Sequence, residues 1–92
     1  MSYTGSQIDW LKPTAQLLGT FQPWTDEHTE LFKKGIEEVG QVVVMIRLVP
    51  VDEDNPYTID DKIIDISMKL AQAGFDTRQY TIITVPNITY FS

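Results

Sequence analysis

Apolar residues in this chain fall into short continuous runs and helically spaced stripes, and the succession predicts the order β-α-β-α-β. Pro13 leads into a first strand from Thr14 to Thr20. Leu31, Phe32, Ile36 and Val39 then recur at helical spacing and form one apolar stripe. Thr25 is placed to cap that helix, Asp26 and Glu27 complement its positive end, and Gly40 suits its exit. Glu30 and Lys34 are spaced for an i,i+4 pair on the wet side. Between Gln41 and Val49 the run Val42-Val43-Val44-Met45-Ile46 reads as a strand covered on both faces. An acidic, proline-punctuated loop follows from Pro50 to Tyr57. Thr58 caps a second helix with Asp61 at the third position, Ile59, Ile63, Ile66 and Leu70 keep helical spacing, and Gly74 closes it. Tyr80, Ile82, Ile83 and Val85 build a third strand within Arg78 to Pro86, and Asn87 to Ser92 form a short aromatic tail.

Right-handed crossovers convert this order into an α/β fold. It is a Rossmann-like β-α-β-α-β half unit with a three-stranded parallel sheet in the order 3-2-1 and both helices on one face. The domain is expected to span 13–92, preceded by a polar arm, 1–12, whose Ile8, Trp10 and Leu11 should dock on something. The second face of the sheet and the outer edge of the first strand have no helix or strand of their own. Such surfaces invite association, so the arm, the tail or a second copy should cover them, and a homo-oligomer is expected.

Composition narrows the function classes. A chain of 92 residues with 42% apolar content supports one core, burying roughly 60–65% of the unfolded surface. No apolar run is long enough to span a bilayer, no leader pattern opens the chain, and cysteine is absent, so a cytoplasmic location without membrane partners is expected. The net charge is −6 and Arg47 and Arg78 are the arginines, which leaves no basic cluster for nucleic acid. An individual phosphate compound is still compatible with this charge, because a helix amino terminus can hold one with backbone donors alone.

That argument points to Gly19-Thr20-Phe21-Gln22-Pro23-Trp24-Thr25-Asp26-Glu27-His28, where an apolar strand meets a turn and then a capped helix. Its amide groups and His28, the one side chain there that can carry a positive charge, face the place where an anion would sit. Arg47, at the carboxyl end of the second strand, is the candidate cation on the edge where open α/β sheets bind ligands. Asp26 and Glu27 are helix-start acids whose side chains diverge, so no protein-built metal site is expected. With one histidine and no nucleophile elbow there is no hydrolytic triad, and the glycine-rich dinucleotide fingerprint and the Walker motif are both absent.

The same residues resemble the Gly-x-(Phe/Tyr)-x-Pro-x-(His/Thr)-x-Gly-His motif of the nucleotidylyltransferase superfamily, which includes cytidylyltransferases and nicotinamide-mononucleotide adenylyltransferases. The resemblance continues through Leu31-Phe32, the strand ending at Arg47, Asp54-Asn55-Pro56-Tyr57, and Val85-Pro86-Asn87-Ile88. It implies a triphosphate held at the first strand-to-helix turn, with Thr25 and His28 matching the two His/Thr phosphate contacts as candidate catalytic residues, and Gly19, Thr20 and Phe21 matching the backbone cradle. The implied reaction transfers a nucleotidyl group from CTP or ATP, with Mg2+, to a phosphate acceptor and releases pyrophosphate. Two departures qualify it. Glu27 stands where the family has glycine, and a later Ser-x-Thr-x-x-Arg-type motif is not found in these residues. The expectation is therefore a truncated relative of the amino-terminal half that binds a nucleotide or phosphate weakly, with catalysis reduced or lost. The alternatives are an active transferase completed by a second subunit, and an interaction module without ligand.

Overall fold

The computed structural model describes residues 3–4 and 8–86. The aromatic tail expected at 87–92 lies outside the described residues. Strand β1 (Tyr3–Thr4) is followed by β2 (Ala15–Gly19), α1 (Asp26–Val39), β3 (Val42–Arg47), α2 (Ile59–Gln72), a 3-10 turn (Thr77–Gln79) and β4 (Tyr80–Val85). The sheet order is β1-β4-β3-β2. β2, β3 and β4 are parallel and carry the expected 3-2-1 order; β1 adds an antiparallel strand on the edge of β4. The edge of β2 therefore has no partner strand among the described residues.

Strand alternation and helix spacing meet on one face. Val42, Val44 and Ile46 of β3 and Tyr80 and Ile82 of β4 form a core with Phe32 of α1 and Ile66 and Leu70 of α2. Both helices thus pack on the same side, as right-handed crossovers require. On the other side Val43 and Thr81 are buried, Met45 and Ile83 are half-buried, and Leu18 is exposed.

Four local expectations need correction. Leu31, 52% exposed, and Val39 lie at the margin of the α1 stripe, whose buried line is Phe32 and Gly35 with Ile36 beside them. Glu30 and Lys34 form no ion pair; those among the described residues are Asp65–Lys69 and Asp76–Arg78. Two exposed side chains gain little over hydration by pairing. Trp10 and Leu11 do not dock and are exposed. Polar bonds hold the arm instead: buried Gln41 donates from Nε2 to the Asp9 carbonyl (2.7 Å) and Thr14 Oγ1 (2.8 Å), and its Oε1 accepts the Asp9 N–H (3.0 Å). Finally, Arg78 sits in the 3-10 turn rather than in the last strand, because Asp76 accepts its N–H and caps that turn.

Helix α1 approaches the sheet closely at Gly35. A Cβ there would lie 2.9 Å from both Ala15 Cβ and Val42 Cγ2. Neither atom is the end of a flexible side chain, so the helix would have to lift. Alanine would gain about 1 kcal/mol of helix propensity against an overpacking cost of roughly 1–3 kcal/mol. Gly35→Ala is expected to lower stability by about 1 kcal/mol in urea unfolding; an increase would show that the sheet yields without cost.

Candidate functional site

The corner between β2 and α1 is built inward before it is built outward. Phe21 has φ 52°, the left-handed region that non-glycine residues avoid, at a cost of about 1–2 kcal/mol. Packing holds it there: its buried ring lies 5.1 Å from Trp24 and 5.0 Å from His28, centroid to centroid. The same ring accounts for Gly19, since a Cβ there would come within 3.3 Å of it. Gly19 serves close approach here. Trp24 is buried and closes the cluster against Phe32.

His28 is fixed as a donor. Its Nδ1 accepts the Thr25 backbone N–H at 2.9 Å and lies 3.0 Å from Thr25 Oγ1. A backbone N–H can only donate, so in the neutral ring the proton is on Nε2. The imidazole is half-buried, edge-on to Phe21 and 5.2 Å from Trp24. Nε2 has no hydrogen-bond partner among the described residues. The Thr25 side chain takes the His28 N–H in a capping box, and the N–H groups of Asp26 and Glu27 remain in the first turn of α1, where helix geometry offers no carbonyl partner. One side-chain donor and a row of backbone donors therefore share one helix end, with its positive dipole.

Helix α2 clamps this corner from beneath. Asp65 Oδ2 accepts the Trp24 N–H at 3.2 Å, and Lys69 Nζ donates to the Trp24 carbonyl at 2.6 Å. Asp65 and Lys69 pair at 3.1 Å, so both ends of one residue are held by one charge pair. Gln22 donates to Asn55 Oδ1 (2.9 Å) and accepts the Tyr57 N–H (3.2 Å), tying the turn to the loop before α2.

The expected site residues separate into two groups. Thr25, His28, Phe21 and Gly19 come together at the corner, and half-buried Thr20 joins them along the chain. Arg47 ends β3 on the same sheet edge, but alternation puts it on the face of Val43 and Met45, opposite the helices. Asp26 and Glu27 are exposed. No group of three or more His, Cys, Asp or Glu side chains gathers into a metal site among the described residues.

Sequence reasoning missed Asp65, Lys69 and Lys62. The first two carry an i,i+4 charge signal, but nothing in the sequence shows that Trp24 lies between them. Lys62 had a plainer signal: it is a lysine inside the Ile59, Ile63, Ile66 stripe, and the structure buries it.

No family model matches the chain. A nicotinamide-nucleotide adenylyltransferase from Ignicoccus hospitalis is 31% identical over 72 residues, which cover 76% of this chain. The match spans 42% of that relative's length. The similarity runs over far more residues than the ten of the corner motif and supports a nucleotidylyltransferase-like relationship. Among the described residues no helix is long and apolar enough to cross a membrane.

Proposed function

We propose that this nucleotidylyltransferase-like chain binds a nucleotide, or another small phosphate compound, at the corner between β2 and α1, with nucleotidyl transfer reduced or lost. The observation that carries this reading is the fixed imidazole. Thr25 occupies Nδ1 and leaves the Nε2 proton without a partner among the described residues, at the helix end that also carries the Asp26 and Glu27 N–H groups. A phosphate oxygen is the acceptor such a set suits best, through charge-assisted hydrogen bonds and the helix dipole.

The reduced activity follows from the charges. Asp26 and Glu27 place two carboxylates in the turn that would meet the anion. Arg47 lies on the other sheet face, and Lys33 and Lys34 are exposed on α1. In phosphoryl chemistry, positioning and electrostatic stabilisation supply most of the rate, so a corner short of cations binds better than it catalyses. With no carboxylate cluster to hold it, Mg2+ would arrive on the phosphates of CTP or ATP and lessen their repulsion from Glu27.

The test is a calorimetric titration of wild type and Glu27→Gly with magnesium–ATP and magnesium–CTP. The variant is expected to bind about tenfold more tightly, the equivalent of about 1.4 kcal/mol. Equal affinities would remove Glu27 as the brake. No saturable binding to either protein would sink the reading itself.

A further inference from the structure

Lys62 is the one charged side chain of the described residues that is buried, at 1% exposure. Its ammonium makes no hydrogen bond or ion pair among the described residues, where the ion-paired lysine is Lys69. Among the described residues every fully enclosed side-chain nitrogen or oxygen has a partner, so the small exposure that Lys62 keeps includes its ammonium. The nearby acids are engaged elsewhere: Asp61 accepts the Thr58 N–H, and Asp65 holds Trp24 and Lys69. Desolvation holds the Lys62 pKa below the ordinary lysine value.

Its place in the fold is set by the bonds around it. Gln22 joins Asn55 and Tyr57 just before α2, and Trp24 joins Asp65 and Lys69 further along it. Lys62 lies between these attachments, on the buried face with Ile66. Helical side chains lean toward the helix amino terminus, which directs the Lys62 stem toward the carboxyl edge of the sheet, the end where Gln22 and Trp24 are attached. A charge buried without a partner lowers stability, and replacing it by an apolar group usually restores some. Such a residue is best explained by a partner that arrives from outside.

We propose that Lys62 is a ligand-contacting residue of the corner, an ammonium directed to the carboxyl edge of the sheet that pairs with a phosphate group bound at Thr25 and His28. The proposal rests on the phosphate-binding reading of the corner. It supplies the cation which that reading otherwise lacks, and it takes the phosphate or pyrophosphate group common to nucleotides rather than a particular base.

Inorganic pyrophosphate is the probe, titrated calorimetrically into wild type, Lys62→Met and Lys62→Arg at low salt. Lys62→Met is expected to bind about tenfold or more weakly, the loss typical of a charge-assisted bond, while Lys62→Arg retains most of the affinity. The melting temperature of ligand-free Lys62→Met should equal or exceed that of wild type, which a purely structural lysine would not give. Wild-type binding with unchanged affinity in Lys62→Met overturns the role of Lys62 and leaves the corner reading standing. No binding to wild type overturns both. If Lys62→Met does not fold, the 15N resonance of the Lys62 ammonium in wild type decides: it should shift on saturation with pyrophosphate, and an unmoved resonance overturns the proposal.

Discussion

Phe32→Ala should lose roughly 3–5 kcal/mol of unfolding free energy, the range for a fully buried aromatic truncated in a core. Phe32 is 0% exposed and belongs to the core cluster. Its ring meets Trp24 at 6.4 Å, Phe75 at 4.7 Å and Tyr80 at 5.5 Å, all edge-on. It therefore joins the corner, the turn after α2 and β4 through one side chain. A chain of this length is stable by roughly 5–14 kcal/mol in all, so the variant should approach the limit of folding at 37 °C. Leu31→Ala, one position away and half exposed, should move stability by no more than about 0.5 kcal/mol. Urea unfolding of the two variants checks both values; similar losses would mean that α1 is rotated about its axis from the arrangement described.

That pair also shows how far the sequence could be read. Helical spacing gives the period of a stripe but not its centre to within one residue, so Leu31 and Phe32 look alike until the sheet fixes the rotation of α1. What fixes it is Gly35, whose missing side chain lets the helix settle against Ala15 and Val42. The parallel order and the common helix face were legible because crossover handedness leaves one solution for this element order. The arm was misread for the converse reason. Apolar Trp10 and Leu11 look like docking residues, but the amide of Gln41 does the holding, and a glutamine 27–32 positions away gives no periodic signal.

The corner was legible as a motif and opaque as a mechanism. Thr25 and His28 could be placed at one helix start from spacing alone. That Thr25 fixes the tautomer of His28, and that Phe21 and Trp24 set the plane of its ring, depends on a φ value and on ring packing that no linear pattern records. Arg47 shows the opposite limit. Its position at a strand end was readable, but the phase of β3 placed it across the sheet from the candidate histidine.

Trp24→Ala should remove both stability and binding, and Trp24→Phe should separate the two. Trp24 is 1% exposed, so truncation to alanine is expected to cost roughly 3–5 kcal/mol. It also takes away one of the two rings that hold His28, and frees Phe21 to leave a left-handed backbone that is favourable only while its ring is packed. Anion affinity should then fall below detection even under conditions where the variant is shown by circular dichroism to be folded. Phenylalanine keeps most of the ring contact and loses the 2.8 Å bond from the indole N–H to Thr29 Oγ1, about 1 kcal/mol. Because Asp65 and Lys69 hold Trp24 through its backbone, the clamp survives either substitution. Pyrophosphate affinity in Trp24→Phe is therefore expected to stay within about threefold of wild type, under 1 kcal/mol. Retained binding in folded Trp24→Ala would show that His28 needs no aromatic support, and the donor set would then reduce to the backbone turn alone.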